Sequence, residues 1–422
     1  MSTTVAAYLR HAKWRVTKQG LKPLPISVQS LRDEIHPILP QLVPNSSPKA
    51  LPWAILPGPA GAEGQSNMKT ILKGLGTATP PLYATQEEAY AFFVAHCPLK
   101  PAEQELYRRI LLDGKIKGRY LGMEATTDAL ETNPDRLLAR FLKFGRATAA
   151  AAARRALAEA GVEPADIAGL VVNTCTGYLC PGLSSYLATD LGLRTSIRFQ
   201  DLMGMGCGAA VPNLEAAAGL LARGGDGPVL SVAVEICTAT IFPSHEPELI
   251  VSNAIFGDGA AAAVLDRVPD HHPGGLVRLV DFASGLFPQY REELRYRTDG
   301  GRLRNHLSKR VPVIGARTVS EVATRLLARH GLTRGDIGWW AVHPGGTVVL
   351  AQVARELELP DDALRFSYHV FENYGNMSSP SVLFVLREML DRGRPQPGQK
   401  GLLLGFGAGF SAFAALLEFL PA

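Results

Sequence analysis

Cysteine is scarce in this chain, and the little there is does not pair. Five residues in 422, Cys97, Cys175, Cys180, Cys207 and Cys237, make an odd number with no repeating spacing. That excludes a disulfide framework and points to reduced thiols in a cytoplasmic protein. The interval from Cys175 to Cys180 has no second Cys/His pair to answer it, so no metal is expected. Missing too is any run of eighteen or more apolar residues free of charge or of a Gly/Pro break, which excludes a membrane-spanning helix. The charge is nearly balanced, with 43 Lys and Arg against 39 Asp and Glu. No basic run is interleaved with aromatics, so nucleic acid is excluded as a partner.

One absence is local. The first 32 residues hold Arg10, Lys13, Arg15, Lys18, Lys22 and Arg32 but no acid, a bias shared with organelle-targeting peptides. Residues 1–67 are also broken by Pro23, Pro25, Pro37, Pro40, Pro44, Pro48, Pro52, Pro57 and Pro59 and show no sustained period. Composition favours a disordered extension, or an upstream start with Met68 as the functional beginning.

Apolar residues make up 46% of the whole chain, enough to bury more than one core. Lys69 to Ala78 reads as a strand, and helices are expected at about 86–96, 101–112 and Arg146–Ala160, the last closed by Gly161. Gly169–Asn173, Gly227–Glu235 and Ala260–Leu265 read as buried strands, with a helix at Val211–Leu221. The second half repeats this cadence: strands at Leu276–Phe282, Trp339–Val342 and Gly401–Gly405, helices at Val319–His330, Thr347–Glu358 and Ser379–Arg392. Gly161-Val162-Glu163-Pro164-Ala165-Asp166-Ile167 and Gly331-Leu332-Thr333-Arg334-Gly335-Asp336-Ile337 close a helix and precede a strand in both halves. The fold class is therefore α/β with duplicated halves, 68–270 and 271–422.

Three distant stretches each present one polar group suited to catalysis. In Gly204-Met205-Gly206-Cys207-Gly208-Ala209-Ala210 a Cys stands among small residues just before a helix, where unpaired N–H groups and the helix dipole favour a thiolate. His343 comes after a strand and precedes Pro344-Gly345-Gly346, a loop at the carboxyl edge of a sheet. There it can pair with the Cys207 thiolate as imidazolium. Asn376, in Asn373-Tyr374-Gly375-Asn376-Met377-Ser378-Ser379, either caps the next helix or serves as an amide donor.

These stretches, together with Ile255-Phe256-Gly257-Asp258-Gly259 and Gly405-Phe406-Gly407-Ala408-Gly409, resemble the chalcone and stilbene synthase family, the type III polyketide synthases of the thiolase superfamily. The five blocks occur in the family's order and approximate spacing. The resemblance covers about residues 68–421 and implies a layered αβαβα fold, a homodimer, and acyl-CoA and malonyl-CoA as substrates with no cofactor. It implies that Cys207 takes the acyl group, that His343 donates to the thioester carbonyl, and that Asn376 helps hold the enolate formed when malonyl-CoA loses CO₂. Because that loss generates the carbanion directly, no catalytic carboxylate is required.

The same resemblance makes Phe256 a gatekeeper and assigns Cys175, Thr176, Cys180, Cys237, Thr240 and Ser378 to the cavity wall, with Gly405, Phe406 and Gly407 as its floor. Asn305 stands where the family has a second gatekeeping Phe, and Ala408 replaces a Pro. Of the family's cations for CoA phosphates, Arg109 alone is retained, with Leu106 and Asp113 at the other positions. Cys175 and Cys237 replace Thr, and Cys180 replaces the Met that reaches into the partner's cavity. The less polar lining leads to an expectation of long acyl starters and alkylpyrone or alkylresorcinol products. The alternatives are an initiating ketoacyl synthase performing one condensation on an acyl carrier protein, and a non-catalytic thiolase-fold subunit.

Overall fold

The computed structural model describes residues 14–17, 20–23, 68–224 and 227–421. They belong to two compact units, Met1–Glu63 and Gly64–Ala422. In the first, the described part is an antiparallel hairpin of β1 (Trp14–Thr17) and β2 (Gly20–Pro23). The rest of the expected extension lies outside the described residues.

In the second unit the first half contains β3 (Met68–Ala78), β4 (Leu82–Thr85), α1 (Gln86–His96), α2 (Pro101–Leu111), β5 (Gly118–Leu121), α3 (Pro134–Ala160), β6 (Gly169–Asn173), α4 (Leu183–Leu191), β7 (Arg198–Leu202), α5 (Ala210–Ala222), β8 (Val229–Ile236), α6 (Pro247–Ile255) and β9 (Asp258–Pro269). The second half adds β10 (Val277–Leu286), β11 (Leu294–Asp299), β12 (Arg302–Leu307), α7 (Val311–Arg329), β13 (Trp339–Val342), α8 (Thr347–Glu356), α9 (Arg365–Tyr374), α10 (Ser381–Glu388), β14 (Lys400–Gly407) and β15 (Ser411–Phe419).

A nine-stranded sheet runs in the order β13-β14-β15-β10-β3-β9-β8-β6-β7, and its two parts repeat each other. Along β3-β9-β8-β6 successive pairings are antiparallel, antiparallel and parallel. Along β10-β15-β14-β13 they are the same. Short 3₁₀ turns at Pro164–Asp166 and Arg334–Asp336 precede β6 and β13, at the places where the sequence repeats. The parts meet where Val277 and Arg278 pair with Leu72 and Ile71.

Strand alternation then sorts the side chains into layers. In β8, Val229 and Ala233 face one core with α5, whereas Leu230, Val232, Val234 and Ile236 face another with α3. In β15, Phe413, Ala415 and Leu417 enter the first core, which also holds α10, while Ala412, Ala414 and Leu416 face α7. The result is the layered αβαβα arrangement, with α5 and α10 as the central layer.

Several boundaries differ from the sequence reading. α3 begins at Pro134 rather than Arg146, because Asn133 caps it by accepting from the N–H groups of Asp135 and Arg136 and Pro134 occupies the first turn. α7 begins at Val311 rather than Val319, again with a Pro in its first turn. The sequence reading placed no element at α4, α6, α9, β7, β15 or the hairpins β4–β5 and β11–β12.

Candidate active site

Cys207 occupies a single 3₁₀ turn, Gly206–Gly208, that runs directly into α5. Gly206 has φ +60°, a conformation that costs a side-chain-bearing residue energy. β14 lies against this turn so closely that a Cβ on Gly407 would sit 2.1 Å from the Met205 carbonyl oxygen and 3.0 Å from the Cys207 nitrogen. Gly405 and Phe406 back onto Gly208. The sulfur accepts a hydrogen bond from Ser378 Oγ at 3.3 Å. Burial pushes the thiol up to about 11, with the Ser378 bond opposing that rise.

His343 comes directly after β13, and its backbone N–H donates to the Leu404 carbonyl at 2.8 Å. Its ring stands edge-on to Phe406, centroids 6.3 Å apart. The side chain is 1% exposed and its Nδ1 has no hydrogen-bond partner. Burial therefore lowers its pKa from 6.5 to about 4. Burial thus works against the thiolate–imidazolium pair expected from sequence by stripping hydration from both charged forms, while the Ser378 donor supports the charged sulfur.

Asn376 is tied at both ends of its amide. Oδ1 accepts from the Ser378 N–H at 2.8 Å, and Nδ2 donates to the Gly345 carbonyl, on the loop after His343, at 3.4 Å. It does not cap the next helix, which starts at Ser381. There Ser381 Oγ accepts from the Met377 N–H. The Asn376 backbone is pinned to the other half of the protein: its N–H donates to Ile255 and its carbonyl accepts from Gly257, a bridge that flanks Phe256. Ser378, with φ +58°, thus joins Cys207 to Asn376.

Beneath Cys207 lies a carboxylate that the sequence reading missed. Glu235, fully buried at the end of β8, accepts from Thr174 Oγ1, from the N–H groups of Cys175 and Thr176, from Thr176 Oγ1, from Cys175 Sγ and from Ser379 Oγ. Burial raises its pKa and these donors oppose the rise. An acid in the otherwise uncharged run Val229–Ile236 was the available signal. Cys175 Sγ lies 3.6 Å from Ser378 Oγ, which connects this network to the nucleophile.

Cys237 and Thr240 share one turn, where Thr240 Oγ1 donates to the Cys237 carbonyl and lies 3.5 Å from Tyr296 Oη. Tyr296 pairs across the β11–β12 hairpin with Asn305, which is buried. No sequence signal pointed to Tyr296, because the hairpin itself was not foreseen. Cys180 is exposed, in the loop between β6 and α4, and Arg109 is exposed on α2. Neither joins the cluster. Arg108, next to Arg109, is held by Glu105 and Asp113. Among the described residues no group of His, Cys, Asp or Glu is arranged to hold a metal.

A thiol at the head of a central helix, with an imidazole and a carboxamide carried by the opposite half, accords with a thiolase-like condensing enzyme. Comparison with known proteins narrows this. The family described as "FAE1/Type III polyketide synthase-like protein" matches residues 104–328, and "Chalcone and stilbene synthases, C-terminal domain" matches 279–421. A 1,3,6,8-tetrahydroxynaphthalene synthase from Streptomyces peucetius subsp. caesius is 33% identical over 350 residues, 83% of this chain and 93% of that protein. A 3,5-dihydroxyphenylacetyl-CoA synthase from Streptomyces toyocaensis is 32% identical over 358 residues, 82% of this chain and 89% of that one. The crystal structure of PKS-I from the brown alga Ectocarpus siliculosus superposes with a TM-score of 0.78 at 29% identity, covering 85% of this chain and all of the other. The chain belongs to the type III polyketide synthase family. Enzymes of this family use CoA thioesters as substrates and need no bound cofactor.

Proposed function

We propose that this protein loads an acyl-CoA starter on Cys207, extends it by decarboxylative condensation with malonyl-CoA, and cyclises the product. The observation that carries the reading is Ser378, which binds the Cys207 sulfur through Oγ and the Asn376 amide through its N–H. Burial lowers the His343 pKa, which supports a neutral imidazole acting as a general base during attack. The thiol proton passes to the imidazole as sulfur bonds to the thioester carbonyl, and the departing CoA thiolate takes it back. When malonyl-CoA loses CO₂, the enolate oxygen is met by Asn376 Nδ2 and His343, and the carbanion attacks the acyl group on Cys207. Phe256 gates the entrance, Gly405, Phe406 and Gly407 form the floor, and Arg109 meets a CoA phosphate.

The apolar Cys175 and Cys237 in the lining favour a long acyl starter and an alkylpyrone or alkylresorcinol product, each buried methylene adding about 0.8 kcal/mol. A second reading, an aromatic product built from malonyl units alone, is favoured by the names of the two Streptomyces relatives and by the hydroxyl of Tyr296 beside Thr240. Incubation of an acyl-CoA series with ¹³C-malonyl-CoA, read by mass spectrometry, separates the two. Activity rising with chain length supports the first, and a labelled aromatic from malonyl-CoA alone replaces it with the second. A single condensation would point instead to the ketoacyl synthase alternative.

A homodimer belongs to the same proposal. β7 is an unpaired edge of the sheet and bears Phe199, 65% exposed, while Tyr178 nearby in sequence is 67% exposed. Cys180 would then face the partner. The boundary at 270/271 falls between β9 and β10 and puts the nucleophile in one half and His343 and Asn376 in the other. A cytoplasmic location accords with five free cysteines and with CoA thioesters as substrates; no described helix is long and apolar enough to cross a membrane.

A further inference from the structure

Arg119, on β5, is 3% exposed and forms no ion pair among the described residues. All three of its acceptors are neutral. Nε donates to Gln86 Oε1 at 3.0 Å, and one terminal nitrogen donates to the carbonyls of Asn253 and Phe256, each at 2.7 Å. Gln86, buried as well, donates to the Ala254 carbonyl at 3.0 Å. The two side chains therefore satisfy the carbonyls at the C-terminus of α6, where a positive charge is favoured by the helix dipole. Asp258, two residues past Phe256, lends the guanidinium electrostatic support, although burial lowers its pKa to about 10.

The stem of Arg119 has a second neighbour. Gly375, at φ +69°, presents its bare Cα to that stem, and a Cβ there would lie 3.0 Å from Arg119 Cγ and Cδ and 2.6 Å from the Ile255 carbonyl oxygen. Asn376 comes next, its N–H bound to that Ile255 carbonyl. One buried side chain thus touches the segment that sets the Phe256 gate and the segment that aims the Asn376 amide. A buried cation with only neutral acceptors is costly, and removing the charge at an ordinary core position would relieve that cost.

We infer that Arg119 is a positioning residue, fixing the end of α6 against the Gly375–Asn376 turn so that the gate and the enolate-binding amide keep one register. This rests on the proposed function. It predicts a split between half-reactions, because the Cys207 turn is held by β14 and not by Arg119. The test uses the full chain with Arg119→Met, Arg119→Lys and, as a milder variant that leaves the guanidinium in place, Gln86→Met, at a temperature where each is folded by circular dichroism. Two rates are read, alkylation of Cys207 by iodoacetamide and release of CO₂ from malonyl-CoA. For Arg119→Met, CO₂ release should fall on the order of a hundredfold while alkylation stays within about twofold. Arg119→Lys and Gln86→Met should lose about tenfold or less in the same step. If folded Arg119 variants lose neither rate, or lose both equally, Arg119 only stabilises the fold and the inference is overturned. If folded Arg119 variants cannot be made, Gln86→Met decides, an unsplit loss or no loss overturning the idea. A wild-type protein that releases no CO₂ would instead defeat the proposed function.

Discussion

Glu235, linked to the Cys207 sulfur through Cys175 and Ser378, and His343, on the loop after β13, stand in two buried walls that the protein finishes differently. Glu235 lies under a closed set of donors from two segments, with both carboxylate oxygens engaged. His343 is equally buried, yet its Nδ1 is left without a partner. An unsatisfied buried polar atom costs about 1–3 kcal/mol. One wall has its hydrogen bonds complete. The other keeps an unmet bonding demand where the proposed function puts the thioester, in keeping with the usual trade of stability for activity.

The largest effect bearing on that contrast is expected at the proposed nucleophile. Cys207→Ala should lower product formation on the order of a thousandfold or more, read as polyketide released from acyl-CoA and malonyl-CoA, and leave the fold intact. Next, Glu235→Gln should destabilise the protein by about 2–4 kcal/mol in a denaturant titration, since an amide must present N–H₂ to donors. His343→Gln should shift stability by under about 1 kcal/mol while abolishing most turnover, because no bond is lost. Equal destabilisation by both variants would erase the distinction between the walls.

Acid sharpens the same comparison. The His343 pKa falls from 6.5 to about 4 on folding, so the unfolded chain binds the extra proton in between. Its contribution is fully present above pH 6.5 and is lost as the pH falls through about 4, at most about 3 kcal/mol. His343→Gln should flatten that segment of the stability–pH curve. The smallest effect belongs to Ser378→Ala, which removes the bond that holds the Cys207 thiol down. Alkylation of Cys207 at fixed pH should slow by about two- to fivefold, and an unchanged rate would remove Ser378 from the account.

Much of this architecture was legible in the chain before any fold was known. The strand–helix cadence and the repeated acidic turns predicted the duplication, since period and capping are local properties. The close approach of Gly405 and Gly407 to the Cys207 turn was legible because small residues leave a signature where backbones must approach. Glu235 escaped because its role depends on loops contributed by Thr174–Thr176 and Ser379, far apart in sequence. Tyr296 and the depressed basicity of His343 escaped for a related reason: each arises from enclosure, which no single segment encodes.

The approach of β14 to the Cys207 turn has a consequence for how this protein can vary. A methyl group at Gly407 would overlap the Met205 carbonyl oxygen outright, so the strand could admit it only by retreating and taking the reactive turn along. At this seam the only tolerated change is none.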